Sequence, residues 1–347
     1  MKLSVVAVSA VMAMGCNNNQ NTANVSCSLS GAGATFPEPF YSMAFDNYAH
    51  KSGNTVNYGG IGSGGGVRNL KDEIVDFAGS DAYLSDEEMA EMEPVVHVPT
   101  CMGAVVLGIN LPEVETVRLS GEVVADIFAG NIKQWNDVRI CALNPLAKLP
   151  NKAIVPVFRS DGSGTTFVFT HYLSQVSESW SSTYGAAKSV DFPVGQAAKG
   201  NPGVASVVSQ TPYSIGYIGS EYAFAQQLPM AVMQNSNGEF VSPTVESISA
   251  AAKGDLPSDT RTMVTNSDAK GAYPISCFTW LIVYQEQHYG DRTIDQARAT
   301  VDLLKYMLSD ANQQSAHLVG YAPLPKSMVK TSLESIKKIT YDGVGIF

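Results

Sequence analysis

Ile154-Val155-Pro156-Val157-Phe158-Arg159, then Ser160-Asp161-Gly162-Ser163-Gly164-Thr165-Thr166, then Phe167 to Leu173: this stretch decides the reading of the fold. The first part is β-prone, the middle is a turn of small and hydroxylated residues, and the last part continues as a helix. The same order opens the chain, where Ser28 to Gly33 reads as a strand and turn. Thr35-Phe36-Pro37 then starts a helix, with Pro37 suited to its first turn. Phe40, Tyr41, Ala44, Phe45 and Tyr48 follow at helical spacing. Thr55 to Tyr58 predicts a strand and Gly59 to Gly66 a loop, with Val67, Leu70 and Ile74 as the apolar face of the next helix. Val75 to Ala78 predicts a strand ending in Gly79-Ser80-Asp81, and Ser85-Asp86-Glu87-Glu88 is a capping-box pattern. Val95 to Asn110 and Ile275 to Tyr284 are β-prone runs, and Ile294 to Leu308 is helical, with Val301, Leu304 and Leu308 aligned. Helices and strands in alternation predict an α/β architecture.

The 347 residues suffice for one large domain or two medium ones, and 45% hydrophobic against 16% charged residues is a globular composition. A net charge of −10 argues against sequence-independent nucleic-acid binding, which needs a basic surface. It says little against a small anion, which responds to nearby donors more than to distant, screened charge. Residues 1–15 read as a signal peptide: Lys2 is followed by a short apolar run from Val5 to Met14, too short to span a bilayer. Ala13-Met14-Gly15-Cys16 resembles a bacterial lipobox, which predicts cleavage before Cys16 and its acylation; the alternative is a plain signal peptide with a chance cysteine. A multiply acylated Cys16 would hold the chain firmly to a membrane. Residues 16–26, including Asn17 to Asn24, read as a polar tether. Cys27, Cys101, Cys141 and Cys277 remain; an oxidising compartment allows three pairings of them, and their spacing matches no zinc pattern.

Three turns share one chemistry: Gly33-Ala34-Thr35-Phe36, Gly62-Ser63-Gly64 and Gly162-Ser163-Gly164-Thr165. A helix start presents unpaired N–H groups and a partial positive charge, glycine lets the backbone come close, and hydroxyls add rotatable donors. One such turn is ordinarily no more than a helix cap. Three of them, one beside Arg159, point to an oxyanion site, since the guanidinium fork suits a tetrahedral anion. Asp161 is placed to orient Arg159; the alternative is a surface ion pair of little consequence. Asp81 stands beside the same site, where a carboxylate repels anions. Phosphate keeps a proton at neutral pH and sulfate keeps none, so Asp81 is either the acceptor of a phosphate O–H or the cap of a local turn.

At these residues the sequence resembles the periplasmic phosphate-binding proteins of ABC transporters. The likeness is carried by Gly31 to Pro37, Gly60 to Gly65, Val75 to Asp81, Gly130 to Asp137, Arg159 to Thr166 and Val241 to Thr244, and runs from about Leu29 to near the C-terminus. It implies a two-lobed periplasmic-binding-protein fold of type II with an inter-lobe cleft, closing by hinge bending. Lobe I would be 27–109 plus 272–347 and lobe II 110–271. It also implies roles: backbone N–H groups of Thr35 and Phe36, the Thr35 hydroxyl, and Ser63 as donors; Asp81 as proton acceptor; Arg159 as charged donor steadied by Asp161; Ser163, Gly164 and Thr165 as the last donor loop. Gly64 stands after Ser63 where relatives carry a second serine, which puts one peripheral contact in doubt. No cofactor is implied. The implied ligand is inorganic phosphate and the implied partners are the membrane permease subunits. The implied place is the periplasmic side of a bacterial cell envelope, lipid-anchored, with a soluble periplasmic protein as the alternative and a monomer as the expected state. With Cys101 and Cys277 both on lobe I strands near the hinge, this arrangement suggests a disulfide between them.

Rival functions find less support. Ser63 and Ser163 lack the Gly-x-Ser-x-Gly pattern of a serine hydrolase, and neither glycine turn carries the lysine of a P-loop. The histidines at 50, 97, 171, 288 and 317 are scattered. A secreted phosphatase, the same fold bound to sulfate or molybdate, and an added adhesive or signalling role are the alternatives.

Overall fold

The computed structural model describes residues 26–252 and 257–347; Cys16, the leader and nearly all of the tether lie outside them. Eight strands build the main sheet: β1 Ser28–Gly33, β2 Thr55–Gly60, β3 Phe77–Ser80, β4 Val95–Asn110, β5 Val155–Arg159, β6 Gln196–Ala198, β7 Ser214–Gly219 and β8 Ser276–Tyr284. Their spatial order is β2-β1-β3-β8-β4-β7-β5-β6. Each end of the sheet is parallel: β1 lies between β2 and β3, and β5 between β6 and β7. The middle is antiparallel, with β8 between β3 and β4, and β4 against β7.

β4 belongs to both halves. Val95 to Ala104 pairs with β8, and Val105 to Asn110 pairs with β7. All its residues but the first and last are buried, which is why it reads as a continuous apolar run rather than an alternating one. β8 is buried throughout for the same reason.

Five helices matter to the site or the core: α1 Glu38–Ser52, α2 Ser63–Lys71, α3 Gly164–Val176, α4 Gly200–Gln210 and α5 Ile294–Met307. α1 buries the five residues that its spacing predicts, and Pro37 occupies its N-cap position. Gly53 ends it in the left-handed conformation. A Thr293–Gln296 capping box starts α5, and Val301, Leu304 and the following Leu308 are buried. The Ser85 capping box forms as expected on the short helix Asp86–Ala90.

α2 differs from the sequence expectation. The glycine-rich stretch is not a loop as far as Gly66; the helix begins at Ser63 and ends at Lys71, leaving Ile74 exposed. Glycines are poor helix formers, but here they serve proximity. A Cβ on Gly66 would lie 2.4 Å from the Ala32 carbonyl oxygen and 2.5 Å from Gly33 Cα. Tertiary contact with β1 thus overrides local propensity.

Cys101 and Cys277 are buried free thiols, which corrects the expected disulfide. The ladder pairs Cys101 with Thr279 and Cys277 with Gly103, so the two cysteines are diagonal neighbours. Diagonal positions lie about 7–8 Å apart, beyond the usual reach of a disulfide. No helix among the described residues is long and apolar enough to cross a membrane.

Gly66→Ala gives a test by sign. In an ordinary helix interior the change stabilises by about 0.5–1 kcal/mol. Here it should destabilise by about 1–3 kcal/mol, as overpacking against backbone does. A lowered urea midpoint is expected, and a raised one contradicts the close-approach account.

Candidate anion-binding site

The residues singled out in the sequence converge where the parallel strands end. Thr35 and Phe36 follow β1, Ser63 follows β2, Asp81 follows β3, Arg159 closes β5, and Ser163 to Thr165 start α3. The carboxyl ends of parallel strands, where helix N-termini gather, are the usual ligand side of an α/β sheet. All of these residues are buried, and Asp161 is half-buried. The two halves touch here: Gly64 N–H donates to the Gly162 carbonyl at 3.0 Å, and Gly164 N–H donates to Ser63 Oγ at 3.0 Å.

The hydroxyl oxygens of Thr35, Ser63 and Ser163 are held as acceptors, whereas the Thr165 hydroxyl donates to Asp81 Oδ2. Ser63 Oγ also takes the Asp81 N–H at 3.4 Å. Ser163 Oγ caps α3 by accepting the Thr166 N–H at 3.0 Å. Thr35 Oγ1 accepts two bonds, from the backbone N–H and the side-chain amide of Asn201, both at 3.0 Å. A hydroxyl whose lone pairs are taken has only its proton left to offer. The site is therefore biased toward donation.

Arg159 supplies the cation. Its Nε and Nη2 form a two-pronged pair with Asp161 at 2.8 and 2.5 Å, and its side chain is 1% exposed. Nη1 is buried and without a hydrogen-bond partner among the described residues. Burial pushes the Asp161 carboxyl up, but the bonds and charge of Arg159 and the Gly200 N–H (3.0 Å) outweigh it and hold Asp161 below its ordinary range. Asp161 is thus the built partner of Arg159, not a surface pair.

Two buried carboxylates stand here, Asp81 and Glu221, and Asp81 is the one bonded into the donor segments. Oδ1 accepts from Thr279 at 2.9 Å and Oδ2 from Thr165 at 3.2 Å. Burial pushes its pKa up to about 7, against the opposing pull of the Thr279 bond, the Arg159 charge and the Thr165 bond. Near neutral pH it can therefore hold or release a proton. A buried carboxylate that can be ionised stands among donors, an arrangement suited to an oxyanion that carries a proton.

Three contributors were not singled out in the sequence. Thr279, inside β8, reaches Asp81 across the sheet. Tyr222 donates to the Thr35 carbonyl at 2.5 Å. Asn201 sits in the first turn of α4, at Gly200-Asn201-Pro202 after the short strand β6. That fourth strand-turn-helix carries no serine or threonine in its turn, so a search for hydroxyl-bearing turns passes over it.

Comparison with known proteins gives the family. A model of the PBP superfamily domain matches residues 18–311. The phosphate-binding protein PstS of Pasteurella multocida (strain Pm70) is 40% identical over 307 residues, covering 87% of this chain and 88% of its own. The PstS of Methanocaldococcus jannaschii is 35% identical over 364 aligned positions, 97% of this chain and 93% of its own. Among solved structures, a high-affinity periplasmic phosphate-binding protein (PfluDING) bound with phosphate superposes with a TM-score of 0.70 at 22% identity, covering 88% of this chain and 92% of its own. A putative phosphate ABC transporter substrate-binding protein from Clostridium perfringens gives a TM-score of 0.63 at 18% identity, covering 86% and 100%. These structural likenesses establish the two-lobed fold.

The buried carboxylate leaves a signature in stability. Asp81 titrates near 7 in the fold and at about 3.9 when unfolded. The folded chain therefore binds this proton more tightly, and ligand-free protein loses the corresponding stability as pH rises from about 4 through 7. Asp81→Asn lacks the titration. Urea unfolding of both proteins at pH 4 to 8 should show the difference moving in favour of the variant by roughly a few kcal/mol. Parallel stability curves would contradict the assignment.

Proposed function

We propose that this chain, which belongs to the PstS phosphate-binding proteins of the PBP superfamily, captures inorganic phosphate between two lobes and delivers it to an ABC-type importer in the cell envelope. The observation that carries the reading is Asp81, the buried carboxylate bonded into the converging donor segments, with the unpartnered Arg159 Nη1 beside them. A guanidinium and a ring of N–H and O–H donors suit any tetrahedral oxyanion. Only the carboxylate separates one that brings a proton from one that does not. An ionised Asp81 accepts the phosphate O–H, and the same carboxylate repels sulfate.

The roles follow. Arg159 meets the anion with Nη1, while Asp161 holds the guanidinium plane. Thr35 gives its hydroxyl and backbone N–H, and Phe36 its backbone N–H. At the starts of α2 and α3, Ser63 and Ser163 give their hydroxyl protons and Thr165 its backbone N–H, while Gly164 N–H holds Ser63 Oγ at 3.0 Å and would turn to the anion on binding. The lobes are taken as 27–109 plus 272–347 and 110–271; within β4 the partner changes from β8 to β7 between Ala104 and Val105, and the Ile275 carbonyl accepts the Val105 N–H at 2.9 Å. Lys188, bonded to Glu88 at 2.6 Å, adds an ion pair across the closed cleft.

Binding proceeds without turnover. His97 accepts the Leu84 N–H, His171 pairs with Thr265, His288 with Asp342 and His317 with the Gln314 carbonyl, so these imidazoles are engaged away from the site hydroxyls. Five heavy atoms at a ceiling of about −1.5 kcal/mol each give roughly −7.5 kcal/mol, near micromolar, so tight capture of so small an ion is attainable. Acylation of Cys16 anchors the chain, as a monomer, on the periplasmic side of a membrane, with residues 16–26 as tether.

Titration calorimetry of phosphate-stripped protein with phosphate and with sulfate at pH 7.5 tests the reading. One phosphate should bind per chain at micromolar affinity or tighter, with sulfate at least about 100-fold weaker; Asp81→Asn should narrow that gap about tenfold or more. Absence of phosphate binding by folded, stripped protein would sink it, and equal binding of sulfate would remove the role of Asp81.

A further inference from the structure

Asn201 is fully buried, and each of its polar groups has a defined partner. Its Oδ1 accepts the Gly219 N–H at 3.0 Å, which fixes the orientation of the amide: oxygen toward β7, nitrogen toward the site. Nδ2 then lies 3.0 Å from Thr35 Oγ1 and 3.1 Å from Thr165 Oγ1, and the Asn201 backbone N–H lies 3.0 Å from the same Thr35 oxygen. Thr35 follows β1, whereas Thr165, Gly219 and Asn201 belong to the strands and helices of the other half. One side chain thus reads the position of three segments and bridges the halves.

A threonine hydroxyl has two lone pairs and one proton. Asn201 fills both lone pairs of Thr35 Oγ1, so the proton must leave on the far side. A threonine left alone satisfies itself on nearby backbone carbonyls. The turn that carries Asn201 is held to the same task. Gly200 adopts a φ of +68° and donates its N–H to Asp161 Oδ1, the partner of Arg159, and a Cβ placed on it would come within 3.3 Å of Thr35 Cγ2.

We infer that Asn201 is a positioning residue that sets the Thr35 hydroxyl as an obligate donor to phosphate when the two lobes meet. The inference rests on the phosphate reading given above. Asn201 acts through Thr35 and makes the closed cleft, rather than either lobe alone, the form in which this donor is correctly polarised. Its removal therefore acts chiefly on release: the encounter of phosphate with an open cleft does not require it, whereas retention does.

The test is a double-mutant cycle read by calorimetry and stopped-flow binding of inorganic phosphate to the full chain: unaltered protein, Thr35→Val, Asn201→Ala and the double variant. Each single change should weaken binding about tenfold or more, and the double change should add less than about threefold to the worse single. The loss should lie in the dissociation rate, with the association rate within about twofold of unaltered protein and the full number of sites retained. A loss in the double variant equal to the product of the two singles overturns the inference, as does a fall in active sites without a faster release. If Asn201→Ala fails to fold, Asn201→Asp replaces it in the cycle under the same criterion, because it keeps the shape and the acceptor for Gly219 while removing the amide donors. Failure of unaltered protein to bind phosphate overturns the functional reading and this inference together, whereas normal phosphate binding with multiplicative losses overturns this inference alone.

Discussion

The site depends on one strand being shared by two half-sheets. Val95 to Asn110 pairs first with β8 and then with β7, and at about 3.4 Å per residue it runs roughly 50 Å through the interior. Buried along nearly its whole length, it cannot slip its register without exposing apolar side chains or leaving backbone groups unpaired. It therefore fixes the two parallel groups of strands so that their carboxyl ends meet. What each group brings to that meeting is local: tight turns, helix starts and short hydroxyl side chains. The glycines at Gly62, Gly66 and Gly164 let the segments approach to backbone contact, since a Cβ at each would come within 3.0 Å of a neighbouring backbone atom.

The electrostatics are arranged with little net charge. Arg159 and Asp161 cancel as a pair, and Asp81 sits near its titration point. Glu221, pushed up to about 8 by burial, is mostly neutral near pH 7 and adds little repulsion. Attraction for an anion then falls to oriented N–H groups and polarised hydroxyls, which work at short range and are indifferent to a chain charge of −10. This is why an acidic protein can hold an anion. Short-range donors also make the geometry matter more than the count of charges, so residues that aim hydroxyls carry as much of the design as residues that touch the ligand.

Much of this was legible in the sequence because the signals were local. The strand-turn-helix at Ile154 to Leu173 announced both an α/β fold and a donor turn, and the apolar spacing of α1 gave its buried face residue by residue. The loop reading of Gly59 to Gly66 failed because tertiary approach to Ala32 and Gly33 outweighed the low helix propensity of glycine. The Cys101–Cys277 pairing failed because register, which places them diagonally, is not written in either strand alone. Asn201 and Thr279 escaped for a related reason: each acts on a partner at least 160 residues away, through contacts that exist only once the sheet is assembled.

The central claim is that a buried carboxylate reads the proton on the bound anion. A high-resolution crystal structure of the protein with phosphate, grown near pH 7.5, tests it most directly. The account predicts one phosphate at the ends of β1, β3 and β5, bonded to Arg159 Nη1, with one of its oxygens in a short O–H···O contact of about 2.5–2.7 Å to an Asp81 carboxylate oxygen. A phosphate bound elsewhere, or one bound here with Asp81 turned away beyond hydrogen-bonding distance, would contradict it.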